Sequence, residues 1–91
     1  MSSFHIGELH VKPEEKGNLL ASFGMLHEQP GFVGHSIYES DDDENHLTTV
    51  EEWESADDHA KFLASMPKDA FEKWITMLTQ PPEGSFFKKI N

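Results

Sequence analysis

Pro30-Gly31-Phe32-Val33-Gly34-His35-Ser36-Ile37-Tyr38-Glu39-Ser40 opens the stretch whose reading decides the fold. It is followed by Asp41-Asp42-Asp43-Glu44-Asn45-His46, then Leu47-Thr48-Thr49-Val50-Glu51-Glu52-Trp53-Glu54, then Ser55-Ala56-Asp57-Asp58 and an amphipathic segment to Ser65. Pro-Gly is turn chemistry. Phe32–Ser40 and Leu47–Glu54 alternate side chains with period two and read as strands, joined by a polar hairpin loop. In the first, Phe32, Gly34, Ser36 and Tyr38 are expected on one face, with Val33, His35, Ile37 and Glu39 on the other. In the second, Leu47, Thr49, Glu51 and Trp53 share a face. The loop is too long to fix the register, so the face that joins Trp53 stays open. Ser55 with Asp58 three residues on is a capping-box-like helix start. Ala56, His59, Ala60, Leu63 and Met66 then recur at helical spacing.

Upstream, Phe4–Val11 reads as a strand with apolar residues on both faces. Lys12-Pro13-Glu14-Glu15 suits a helix N-terminus, where proline is tolerated and acids favour the dipole. Leu19, Leu20, Phe23 and Leu26 form its apolar stripe, and it is expected to end near His27. Downstream, Pro67 interrupts the helix, and Ala70, Phe71, Trp74, Ile75 and Leu78 form another stripe. Gln80-Pro81-Pro82-Glu83-Gly84 is a break, and Ser85–Ile90 reads as a last strand. The order β-α-β-β-α(α)-β is the split βαβ pattern of a ferredoxin-like α+β domain, an antiparallel sheet with helices on one face. Helices cover only that face, yet the Phe32–Ser40 strand is apolar on both. A second copy of the chain is the economical cover, so a homodimer is expected.

The 91 residues suit one domain. There is no Cys, which removes disulfides, thiolate catalysis and cysteine metal sites. Seventeen acids against seven bases give a formal charge of −10, which argues against nucleic acid and anionic membranes as partners. No apolar run follows Met1-Ser2-Ser3 or approaches the length of a membrane span, so a cytoplasmic protein is expected.

Pro30-Gly31-Phe32-x-Gly34 before a strand, an acidic hairpin, and Glu52-Trp53-Glu54-Ser55 before a helix resemble the antibiotic biosynthesis monooxygenase family. The close resemblance spans Pro30–Ser65; Lys12-Pro13 after the first strand and Pro81-Pro82 before the last also fit. It implies a dimeric α+β barrel. The family includes quinol and polyketide oxidases, heme degraders, signal-molecule isomerases and members with no known substrate. The family pattern places His nine residues after the Trp, where this chain has Phe62. Heme degraders carry an Asn on the first strand, which is absent here.

The resemblance implies a cofactor-independent monooxygenase acting on a small electron-rich aromatic or quinol, with no cofactor, and the residues themselves give no metal site. The alternatives are a heme-binding or heme-degrading member and a non-catalytic dimeric binding module. Histidine is the natural phenol base because its unperturbed pKa lies near working pH. The candidate catalytic residues are His35, on the second strand, and His59, on the helix stripe. Trp53, Tyr38, Phe23, Phe62 and Phe71 are candidate substrate-binding residues, though helical spacing suits Phe23, Phe62 and Phe71 to a packed core as well. The six His lack metal-motif spacing, and Asp41-Asp42-Asp43-Glu44 lacks the glycine and terminal glutamate of a calcium loop.

Overall fold

A computed structural model of the chain describes residues 2–91. The alternating segments form β1 (Ser3–His10), β2 (Phe32–Glu39) and β3 (His46–Trp53), and a short β4 (Glu83–Phe87) follows the Pro-Pro break. They make one antiparallel sheet in the order β2-β3-β1-β4. This is the ferredoxin-like α+β arrangement, with α1 (Lys16–Ser22), α2 (Ala56–Ser65) and α3 (Lys68–Ile75) completing it.

The expected first helix is divided. Pro13–Glu15 is a 3-10 turn, α1 follows, and Phe23–Glu28 tightens again into 3-10 geometry. The stripe is correspondingly narrower than its spacing suggests: Leu19, Phe23 and Leu26 are buried, but Leu20 is exposed. Pro67 caps the start of α3 in an extended conformation, so α2 stops at Ser65 and the chain turns before α3. The last strand begins two residues earlier than expected and ends at Phe87, leaving Lys88–Asn91 outside the sheet.

Register settles the faces. Phe32 pairs with Trp53 and His35 with Glu51, and a β-bulge falls between Phe32 and Gly34. A bulge inserts one residue and resets the alternation. Phe32 therefore joins His35 and Ile37 on the helix side, whereas strict alternation had put it with Tyr38. The opposite side of β2 carries Val33, Ser36 and Tyr38, all exposed.

The core lies between the sheet and the helices. It contains Leu9, Val11, Leu19, Phe23, Leu26, Leu47, Trp53, Met77 and Leu78. The chain after α3 is fastened to the end of β1 by backbone bonds from Lys12 N–H to Met77 O (2.9 Å) and from Thr79 N–H to His10 O (2.8 Å). These bonds place Met77 and Leu78 in the core, although α3 itself has no buried residue.

Gly31 joins the turn to the helix. Its φ is +82°, a region costly for residues with a Cβ, and the Asp58 side chain occupies the space a Cβ would need. Asp58 is held there by the cap: its N–H donates to Ser55 Oγ (3.2 Å) and its Oδ2 accepts from the same hydroxyl (2.9 Å). Gly31 O in turn accepts from Glu54 N–H at 2.7 Å. The Pro-Gly turn and the α2 cap thus form one unit, fixing where α2 leaves the sheet and where His59 lands.

Candidate active site

β1 and β3 lie side by side, with His5 opposite Glu51. Directly opposed residues of an antiparallel pair project from the same face. That face is the helix side, where the first full turn of α2 brings His59 over the same two residues. Suitable donor atoms of His5, Glu51 and His59 all lie within 4.8 Å of one another. Glu51 and His59 are buried at 7% and 8% exposure, and His5 is half-buried.

Glu51 is an acid on the core face of a central strand, and burying a charge is costly unless it is hydrogen-bonded. The Trp53 indole Nε1–H supplies a bond to Glu51 Oε1 at 2.9 Å. His59 Nε2 stands 3.9 Å from the same oxygen, too far for a hydrogen bond but close enough to favour the ring when it is protonated. The His5 and His59 rings stack with centroids 4.4 Å apart and planes 22° apart. Trp53 meets the His59 ring edge-on at 5.4 Å and Phe86 meets it at 5.1 Å. Burial first, and the neighbouring His5 second, lower the His59 pKa from 6.5 to about 4. The ring is therefore neutral at physiological pH. His5 Nδ1 is buried with no hydrogen-bond partner.

The three groups lie on the wall of a cavity of about 490 Å³. Thr49 and Leu9 extend its sheet side; Phe23 and Leu26 approach from the first helical layer. His59 and Phe62 come from α2, Met66 from the position directly after it, and Phe71 and Trp74 from α3. The break at Pro67 separates α2 from α3 enough for both to line one space rather than fill it. Its volume falls in the range of small-molecule sites, roughly 300–1,000 Å³.

Of the residues singled out in the sequence, His59, Phe23, Phe62 and Phe71 line this cavity. Trp53 is fully buried behind the wall, stacked at 5.7 Å on Phe62 and bonded to Glu51. His35 shares the helix-side face but sits among Phe23, His27 and Phe32, off the cavity wall, with its Nδ1 buried and unpaired. Tyr38 projects from the opposite face and is 59% exposed. Sequence reasoning gave no role to Glu51 and His5. The signal for Glu51 was present: an acid between Thr49 and Trp53 on an otherwise core-facing series.

The family model for antibiotic biosynthesis monooxygenase matches residues 3–76. The chain belongs to the antibiotic biosynthesis monooxygenase family. Among solved structures, this family member is similar to SnoaB, a cofactor-independent oxygenase from Streptomyces nogalater, at TM-score 0.81 and 20% identity, covering 99% of this chain and 94% of SnoaB. It is similar to the ActVA-Orf6 monooxygenase of Streptomyces coelicolor in complex with nanaomycin D, at TM-score 0.77 and 19% identity, covering 99% and 88%. A conserved protein from Methanosarcina mazei Go1 aligns at TM-score 0.79 and 20% identity over 99% and 94%. At these identities the structural likenesses establish the fold alone. No curated protein matches the sequence. Among the described residues no helix is long and apolar enough to cross a membrane.

Proposed function

We propose that this family member is a cofactor-independent monooxygenase that oxidises a small electron-rich aromatic or quinol with O2. The carrying observation is the cavity of about 490 Å³ with His59 on its wall and Glu51 behind the imidazole. SnoaB, a cofactor-independent oxygenase on the same fold, and the ActVA-Orf6 complex with nanaomycin D support the substrate class by analogy.

His59 is neutral and accepts the phenolic proton as the substrate ionises; burial makes it a weak base at a pKa of about 4, so the transfer depends on Glu51 and the nascent phenolate favouring the imidazolium. Glu51 then stabilises the imidazolium, since its carboxylate stands 3.9 Å from Nε2. The phenolate passes one electron to O2, the radical pair combines at a ring carbon bearing hydrogen, and the His59 imidazolium returns its proton to the peroxide anion to give the hydroperoxide. Loss of water leaves the carbonyl. Substrate and O2 thus become quinone and water, with all four electrons supplied by the substrate. Phe23, Phe62 and Phe71 hold the flat ring and exclude water from the intermediates. Trp53 keeps Glu51 in place from behind the wall. His35 lies one layer away, and Tyr38 has no part in this pocket.

We further propose that a second copy of the single domain covers the outer sheet face, where Val33, Tyr38 and Phe87 are more than half exposed.

Oxygen-electrode assays with a panel of dihydroxyaromatics test the catalytic reading. Substrate-dependent uptake above the buffer blank is expected. His59→Ala should reduce it by about a hundredfold or more, the usual scale for a general base. Uptake equal to the blank across the panel would overturn the reading.

A further inference from the structure

We propose that His5, Glu51 and His59 form a binding site for a divalent transition-metal cation of the zinc and cobalt class. Two imidazoles and one carboxylate are the donor set such cations take, and three protein ligands with a fourth position open is a common arrangement. Here the three donors come from separate elements, β1, β3 and α2, and converge to within 4.8 Å.

Three atoms bound about 2.0–2.1 Å from one ion lie about 3.3 Å from one another. The Glu51 Oε1 to His59 Nε2 separation is 3.9 Å and the two imidazoles stack 22° from parallel, so the set is open and closes on an ion by turning the imidazoles until both in-plane lone pairs meet it. Both histidines stand beside the cavity, which supplies an entry path and the fourth position.

Several further features favour a cation. His5 Nδ1 is buried without a partner, and a buried polar atom left unpaired destabilises the fold. Metal binding requires neutral imidazole, and His59 is held neutral. Glu51 is oriented by the Trp53 indole N–H, the kind of outer-shell bond that fixes metal ligands. Gly84 leaves room for the His5 ring: a Cβ there would lie 2.6 Å from His5 Nε2. The chain's formal charge of −10 attracts cations generally.

The site goes beyond the oxidation reading and does not rest on it. A bound cation would occupy the His59 lone pair that phenol deprotonation uses, so cation and phenolic proton compete.

The test measures Co2+ and Zn2+ binding to the whole, previously chelated protein by calorimetry, with ligand-field absorption for Co2+. One ion per chain and visible Co2+ bands of reduced symmetry are expected. His5→Ala, Glu51→Gln and His59→Ala should each weaken binding by at least about tenfold, the lower scale even for outer-shell partners. Circular dichroism checks that each variant is folded. Glu51→Gln keeps an oxygen for the Trp53 bond and so separates ligation from folding. His10 and His46 stack on the opposite sheet face, with Glu8 at 2.9 Å from His46. Their variants His10→Gln and His46→Gln should leave binding unchanged. Absence of binding, or binding that follows His10 and His46 rather than the cavity trio, would overturn the proposal. Neither outcome depends on whether phenols are oxidised.

Discussion

The Trp53 indole Nε1–H donates to Glu51 Oε1 at 2.9 Å, linking two side chains that project from the same face of β3. An otherwise awkward buried acid is thereby held beside His5 and His59. Trp53→Phe keeps an aromatic ring in the core but removes the donor. A hydrogen bond to a charged group is worth about 1.5–3 kcal/mol, so urea denaturation should show a loss of about 2 kcal/mol or more. Glu51→Gln retains an acceptor and sheds the buried charge, and should cost less than about 1 kcal/mol. Equal losses in the two variants would show that this bond does not carry the difference.

His59 links stability to pH. Its folded pKa is about 4, against 6.5 for a free imidazole, so the unfolded chain binds more protons between those values. Stability from this group is fully present above about pH 6.5 and is lost as pH falls through the window to about 4. The full shift corresponds to up to about 3 kcal/mol. The groups facing the ring are His5 and Glu51 from the sheet, with Trp53 and Phe86. Urea midpoints of the chelated protein should fall from pH 7 to pH 4, and His59→Phe should flatten part of that slope. An unchanged slope in the variant would remove His59 as its source.

The turn before β2 offers a coupled pair. Gly31→Ala places a Cβ at φ +82° and against the Asp58 side chain. The backbone term alone is about 1–2 kcal/mol. Asp58→Ala removes the obstructing carboxylate, though its Cβ still stands 2.7 Å from the added methyl, and it weakens the Ser55 cap at about 1 kcal/mol. In a double-mutant cycle by chemical denaturation, Gly31→Ala should therefore cost less in the Asp58→Ala background than in the native one. Strict additivity would mean that the Gly31–Asp58 contact relaxes without cost.

Element order and strand faces were mostly legible because each rests on local chemistry: Pro-Gly turns, period-two alternation, and the Ser55–Asp58 cap. The failures lie where one residue's geometry overrides a pattern. The β2 bulge moved Phe32 across the sheet, which periodicity has no means of signalling. The first helix tightens at Phe23, and Leu20 within it faces solvent. The site was legible only in pieces. His59 and the aromatic walls sit on a helix and carry a spacing signal, whereas His5 and Glu51 meet through strand pairing between residues far apart in sequence. Their convergence required the register, and the register required the fold.

The outer sheet face makes the last prediction. Val50 stands between Ile6 on β1 and Ser36 on β2. Phe4 and Tyr38 lie on the same side, and Val33, Tyr38 and Phe87 are more than half exposed. Helices occupy only the other face, so this apolar surface meets water in an isolated chain, and its continuity across the strands suits a self-complementary contact. A stable interface buries roughly 1,200–2,000 Å² in total, which a four-stranded face with its edges can supply. Light scattering after size exclusion should give twice the chain mass at micromolar concentration. Val50→Lys puts a charge at the centre of the proposed contact, where its own fold can still leave the ammonium in water. That variant should run as a monomer with unchanged circular dichroism, whereas a monomeric native protein at the same concentration would exclude the pairing.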